Sequence, residues 1–195
     1  ENRTENEIRE EAGTQGPPLP PVDPEHFPES EELPEGVRTV RLKDAYGCHL
    51  RFLPNVVYAD HSGMELHLQL FLPEDSPQGK RWPLIVFIQG SAWFRQDIFA
   101  SLQDIVRMGE RGYAMAIVEY RPSGTAPFPA QVQDAKTAIR FLKKHAPEYG
   151  IDENRVALWG DSSGGHTALL AGFTGDGAPD ADDSDRISAS VRCIV

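Results

Sequence analysis

Cysteine is almost missing from this 195-residue sequence, which holds only Cys48 and Cys193. Two thiols so far apart give no disulfide framework of the kind that staples small secreted domains. Cys193 falls in a run that reads as a core strand, where a free thiol behaves as a small hydrophobe, so the cysteine usage points to a reducing, cytoplasmic setting. No stretch approaches the roughly twenty consecutive apolar residues of a membrane helix. No basic-then-apolar leader opens the chain; position 1 is Glu rather than Met, which leaves a removed leader open. Positive charge is scarce too: 19 Lys and Arg face 30 Asp and Glu, a formal net charge of −11. Phosphate contacts need clustered Lys and Arg, so neither nucleic acid nor an anionic membrane is expected as a partner. Nothing repeats internally.

The acidity is local. Residues 1–36 carry eleven acidic side chains against two arginines, −9 of the total −11, which leaves −2 for the rest. The same segment holds seven prolines, among them Pro17, Pro18, Pro20 and Pro21, and shows no periodic apolar face. It reads as an extended or disordered arm, with a lid over a pocket or a contact to a second subunit as the functional alternative. Residues 37–195 then make one domain large enough for a real core.

Within that domain, residues 37–42 and 50–58 have the β-branched and aromatic content of strands, the second broken by Pro54 and Asn55. Residues 64–70 alternate cleanly, as in an edge-side antiparallel strand, and put His67 on the wet face, solvated rather than catalytic. Residues 84–88, 115–118 and 156–158 are continuous apolar runs, the mark of strands covered on both faces. Helical patterns separate them. One covers 98–111, with Ile98, Leu102, Ile105 and Val106 inward and Gly112 closing it. The other runs from Pro129 to His145, with Val132, Ala135, Ile139 and Leu142 inward and Lys143, Lys144 and His145 at its negative end. Strands alternating with helices imply an α/β fold with a mostly parallel sheet wound by right-handed crossovers. Residues 191–195 read as one more strand beginning.

The chemistry centres on residues 156–170, an apolar strand that turns sharply into a helix. Gly160, Ser162 and Gly164 fit the nucleophile-elbow pattern G-x-S-x-G, with Gly165 following; the glycines let two backbones crowd while the serine stands at the apex. Ser162 is the expected catalytic nucleophile. The N–H of Ser163, at a helix N-terminus, can stabilise charge developing on an attacked carbonyl oxygen. After the first buried strand, Gln89, Gly90, Ser91, Ala92 and Trp93 lie at its carboxyl end, where α/β sheets bind ligands. The N–H groups of Ser91 and Ala92 are assigned to the oxyanion hole beside that of Ser163. Trp93 and Phe94 either line a pocket or belong to the core. The loop 174–186 carries Asp176, Asp180, Asp182, Asp183 and Asp185 but lacks the glycine and terminal glutamate of a calcium loop, so a solvated loop is expected and no metal site is assigned.

Together, the loop from Gln89 to Trp93, Glu119-Tyr120-Arg121, Ala126-Pro127-Phe128-Pro129-Ala130, Gln133-Asp134-Ala135 and Gly160-Asp161-Ser162-Ser163-Gly164-Gly165-His166 resemble the α/β-hydrolase fold. Within it they are similar to the esterase and lipase branch, close to the hormone-sensitive-lipase-like and feruloyl or acetyl esterases. The resemblance covers about residues 56–195. It implies a three-layer α/β fold and hydrolysis of a carboxylic ester through an acyl-enzyme, with serine, acid and histidine in that chain order and no cofactor. Two departures stand out: the family's His-Gly-Gly entry is Gln89-Gly90-Ser91 here, and the family's acid and base follow strands beyond the one starting at Val191. His166 reads as a buried helix residue rather than as the base. The expectation is therefore the amino-terminal portion of a hydrolase, incomplete at its C-terminal side, with the acid and histidine supplied beyond this chain and a second chain as one way to complete the sheet. A small ester, acetyl or feruloyl on a carbohydrate, is the expected substrate; a serine peptidase of the same fold, a non-catalytic hydrolase-like binding protein and a scaffold subunit are the alternatives.

Overall fold

A computed structural model describes residues 48–74, 79–180 and 187–195; the acidic arm, the expected strand 37–42 and Asp182, Asp183 and Asp185 lie outside them. The strands among the described residues are β1 (Leu50–His61), β2 (Met64–Pro73), β3 (Trp82–Ile88), β4 (Ala114–Val118), β5 (Ile151–Gly160) and β6 (Cys193–Ile194). The helices are α1 (Leu102–Gly109), α2 (Ala130–Lys144), α3 (Ala146–Tyr149) and α4 (Ser162–Thr174). All six strands join one sheet in the order β1-β2-β4-β3-β5-β6. The pairs β1–β2 and β2–β4 are antiparallel, whereas β4–β3, β3–β5 and β5–β6 are parallel.

Alternation along the strands divides the core into two layers, because successive side chains in a strand point to opposite faces. Leu66, Leu68, Leu70, Leu84, Val86, Ile88, Ala114, Ala116 and Val118 pack with Val132, Ala135, Ile139 and Leu142 of α2 and Ala168 and Ala171 of α4. The intervening residues Phe71, Ile85, Phe87, Met115 and Ile117 meet Leu102, Ile105 and Val106 of α1 on the other face. A sheet covered on both sides is what continuous apolar runs require, and each fully buried aliphatic side chain contributes about 1.5–3 kcal/mol. This is the fold of the α/β-hydrolase esterases.

The winding also fixes where a ligand binds. The connection from β3 through α1 moves outward to β4; that from β4 through α2 jumps back across β3 to β5. Crossovers of one hand that reverse direction must use opposite faces of the sheet, and α1 and α2 do so. The reversal opens a crevice at the carboxyl ends of β3 and β5. The segments that follow those two strands are residues 89–94 and the elbow at Ser162.

Several expectations change. Among the described residues β1 stands at this edge of the sheet and β2 is interior, so the alternation of residues 64–70 does not mark an edge. Gln69 is buried on the face predicted to be wet, and its amide donates to Asn55 Oδ1 at 2.8 Å while Asn55 N–H donates back to Gln69 Oε1 at 3.1 Å. Pro54 and Asn55 do not break β1 in two: the register shifts between Leu53 and Val56, with Asn55 at φ 52°, a bulge that bends an edge strand. The helix predicted over 98–111 is Leu102–Gly109, because Ser101 at φ 61°, ψ 15° is left-handed and cannot continue it backward. Ile98 still packs in the core beside α1. Cys193 is exposed rather than buried, since among the described residues β6 lies at the edge of the sheet beside β5. No helix among the described residues is long and apolar enough to cross a membrane.

A row of polar side chains on α2 secures the segment after α4. Gln133, Lys136, Arg140 and Lys143 recur three and four residues apart, hence on one face. Lys136 Nζ donates to the carbonyls of Gly177 (2.6 Å) and Pro179 (2.8 Å), and Gln133 Nε2 to that of Asp180 (3.1 Å). Arg140 Nε donates to Ile187 O at 2.9 Å, and Lys143 Nζ to Ser188 O and Ser190 O at 2.9 and 2.6 Å. The carboxylates of Asp176 and Asp180 face Arg140 in this network, Asp176 while still half exposed.

Candidate active site

Strand β5 delivers the chain to its sharpest turn. Asp161 is still extended (φ −116°, ψ 149°), Ser162 has φ 50°, and α4 begins at once. A non-glycine residue in the left-handed region is costly, by roughly 1–2 kcal/mol, and this one is exposed at the carboxyl edge of the sheet. The glycines make the turn possible. A Cβ on Gly164 would lie 2.0 Å from Ile88 O, and one on Gly90 would lie 2.8 Å from the Cβ of Ser162. Gly165 is less tightly placed, with 3.1 Å from such a Cβ to Gly160 O.

Residues 89–94 lie against this turn. Gly90 N–H donates to Asp161 Oδ1 at 2.9 Å, and Ser91 N–H to Ser163 Oγ at 2.9 Å. Ser163 Oγ also takes the N–H of Trp93 at 3.4 Å. Of the three N–H groups expected to stabilise an oxyanion, that of Ser91 is thus already directed at a protein oxygen. Those of Ala92 and Ser163 have no acceptor among the described residues. Ala92 and Trp93 have φ values of 51° and 60°, two consecutive left-handed residues.

Two residues that the sequence reading left without a role fasten this loop. The hydroxyl of buried Tyr120, just past β4, donates to Gln89 O at 2.9 Å and lies 3.0 Å from Ser91 Oγ. Gln96 accepts the Tyr120 N–H at 2.8 Å and donates to Phe94 O at 2.7 Å. Tyr120 stands within a motif read from the sequence, but its tie to a loop some thirty residues earlier has no local signature.

Beside the elbow lies a cavity of about 440 Å³ lined by Trp93, Ser123, Phe128, Gln131 and His166. Trp93 thus lines this cavity, together with Phe128, for which the sequence reading gave no pocket role. Phe94 is 70% exposed and is not among those lining residues. His166 is exposed rather than buried as predicted, with its ring edge-on to Trp93 at 5.5 Å between centroids. The helical register explains the correction: Ser163, Gly164, Thr167, Ala168 and Ala171 form the buried face of α4, and His166, Leu169 and Phe173 fall on the outer one.

Three further histidines, His61, His67 and His145, stand beside carboxylates. His67 is not simply solvated: Nδ1 lies 3.1 Å from Glu119 Oε2, and Nε2 3.6 Å from Glu65. His61 Nε2 lies 3.3 Å from Asp134 Oδ1, and His145 pairs with Glu148 at 3.1 Å. Asp134 is itself taken up by Arg121, whose Nη2 sits 2.7 Å from Oδ1 and whose backbone N–H reaches Oδ2 at 2.9 Å. Burial, with the Asp134 and Glu119 carboxylates beside it, raises the pKa of Tyr58 well above its ordinary value.

The sequence model of the family described as BD-FAE matches residues 68–194, well over half of the chain. The chain belongs to the BD-FAE family. Esterase LipC of Mycobacterium tuberculosis is 29% identical over 120 residues, 61% of this chain and 29% of LipC. The native Est2 esterase of Thermogutta terrifontis superposes with a TM-score of 0.61 at 27% identity, covering 76% of this chain and 51% of that one. The same esterase is similar, with a TM-score of 0.62, in a form phosphorylated by paraoxon. A truncated carbohydrate esterase from gut microbiota is 32% identical with a TM-score of 0.55, covering 69% of this chain and 46% of that one. This BD-FAE chain thus spans about half the length of these solved esterases and less than a third of LipC.

Proposed function

We propose that this chain carries the nucleophilic part of a serine carboxylesterase. Ser162 Oγ attacks the carbonyl carbon of an ester, the alcohol leaves, and an acyl-enzyme forms that water then hydrolyses. The observation that carries this reading is the exposed Ser162 at φ 50°, wedged between β5 and α4 and faced by residues 89–94. No ordinary turn needs a strained serine there. As the tetrahedral intermediate forms, the N–H groups of Ala92 and Ser163 meet its oxyanion. The serine proton passes to a histidine–acid pair supplied from outside this chain. His61, His67 and His145 face carboxylates elsewhere, which supports that assignment. The likeness to a carbohydrate esterase supports an acetyl or feruloyl ester of a carbohydrate as substrate, with its apolar part in the Trp93 and Phe128 cavity.

Paraoxon tests the nucleophile directly, since attack forms a Ser162 Oγ–P bond and expels 4-nitrophenolate. In a preparation that includes the segment bearing the histidine–acid pair, peptide mapping by mass spectrometry is expected to find one diethylphosphoryl group, on Ser162, and none in Ser162→Ala. A label that persists in that variant, or that sits on another residue of the wild type, overturns the proposal.

A further inference from the structure

We propose that the side chain of Ser163, beyond its backbone N–H, is a positioning group for the reaction: its hydroxyl oxygen holds the strained turn at residues 91–93 so that the Ala92 N–H stays presented to the substrate oxygen. This rests on the reading of Ser162 as nucleophile.

The turn needs holding. Ala92 and Trp93 both occupy a backbone region that L side chains rarely adopt, and two such residues in succession persist only where the surroundings over-determine them. Ser163 Oγ supplies two of the restraints, accepting the N–H of Ser91 at 2.9 Å and of Trp93 at 3.4 Å. Those donors flank Ala92, so pinning them fixes the peptide plane between them. Further restraints come from just past β4, Tyr120 on Gln89 and Ser123 N–H on Trp93 O at 2.8 Å, and from Gln96 of the same loop on Phe94. Ser163, like Asp161 on Gly90, grips the loop from the elbow that carries Ser162, and it does so on both sides of Ala92.

Its own placement is rigid. Ser163 is 5% exposed, and its carbonyl accepts the Thr167 hydroxyl at 3.0 Å one turn along α4. The hydroxyl therefore ties the oxyanion donor and the nucleophile into one body. An oxyanion donor must stand 2.7–3.1 Å from the forming charge, and a displacement of about 1 Å costs on the order of 10²-fold in rate.

Three variants test the inference: Ser163→Ala, Ala92→Gly and the double substitution, read by the rate of paraoxon labelling at Ser162 and by amide hydrogen exchange at Ser91 and Trp93. Ser163→Ala is expected to slow labelling about 10- to 100-fold and to speed exchange of both amides at least about 10-fold. Glycine adopts positive φ without strain, so Ala92→Gly in the Ser163→Ala background is expected to recover most of the labelling rate. A merely structural loss at position 163 would not be rescued there. Unchanged exchange in Ser163→Ala overturns the inference. Faster labelling also overturns it, because the hydroxyl would then be blocking the donors rather than holding them. Labelling of the wild type elsewhere than Ser162 defeats the nucleophile reading instead, and the exchange arm still decides whether Ser163 holds the loop.

Discussion

Gly160 meets Gly164 so closely that a Cβ on the first would stand 2.5 Å from the carbonyl oxygen of the second. Neither partner can retreat, since Gly160 closes β5 and Gly164 lies in the first turn of α4 against Ile88. A methyl at either position has to separate helix from strand, and overpacking of this kind costs about 1–3 kcal/mol. Gly160→Ala and Gly164→Ala are each expected to lower the urea midpoint accordingly and to reduce paraoxon labelling at Ser162 at least about tenfold. Wild-type labelling by a destabilised variant would detach the crossing from the reactivity.

Ser162 illustrates stability yielding to function. Its φ of 50° is unfavourable for serine and neutral for glycine. Ser162→Gly relieves roughly 1–2 kcal/mol of strain and adds back part of that through the greater freedom of the unfolded chain. The variant is expected to unfold at equal or higher urea than wild type, by up to about 1 kcal/mol, while losing all labelling. A marked loss of stability would mean that the hydroxyl makes contacts the fold depends on.

The Arg121–Asp134 pair is a second place where substitution is expensive, with side chains only 16% and 1% exposed. Removing one partner of a buried, hydrogen-bonded ion pair leaves the other charge uncompensated, at about 3–5 kcal/mol. Asp134→Ala is expected to lower unfolding stability by that amount in urea titrations, more than the double variant Arg121→Met/Asp134→Ala, which leaves no charge behind. Equal losses in the two would show that packing rather than charge sets the penalty.

Acid should loosen the segment beyond α4. The hydrogen bond from the Ser188 hydroxyl, helped by the Ala189 N–H and by Arg140 and Lys143, holds the Asp176 pKa below its ordinary value. The unfolded chain therefore binds the proton first, so this stabilisation is complete above about pH 4 and disappears as pH falls through the lower folded-state value. Asp176→Asn is expected to be less stable than wild type at neutral pH and to converge with it at the acid end. Parallel melting curves from pH 6 to pH 2 would count against it.

Much of this was legible locally. The apolar runs of β3, β4 and β5 declare burial on both faces, and the strand–G-x-S-x-G–helix order places Ser162 at the crevice. What escaped depends on distant partners. Nothing near Gln69 announces that Asn55 satisfies it across a bulge, nor does His67 announce Glu119, 52 residues away. The direction of the Ser91 N–H depends on a side chain 72 residues later. His166 was misread because the apolar run from Thr167 onward hides the helical register that puts residue 166 outside.

The grip of α2 on the segment after α4 has an evolutionary corollary. Lys136, Gln133 and Lys143 clasp carbonyl oxygens, which every amino acid possesses, whereas Arg140 meets the Asp176 and Asp180 side chains. The tethered stretch can therefore drift in sequence with little loss of anchorage, whereas the residues of α2 that hold it have no such freedom.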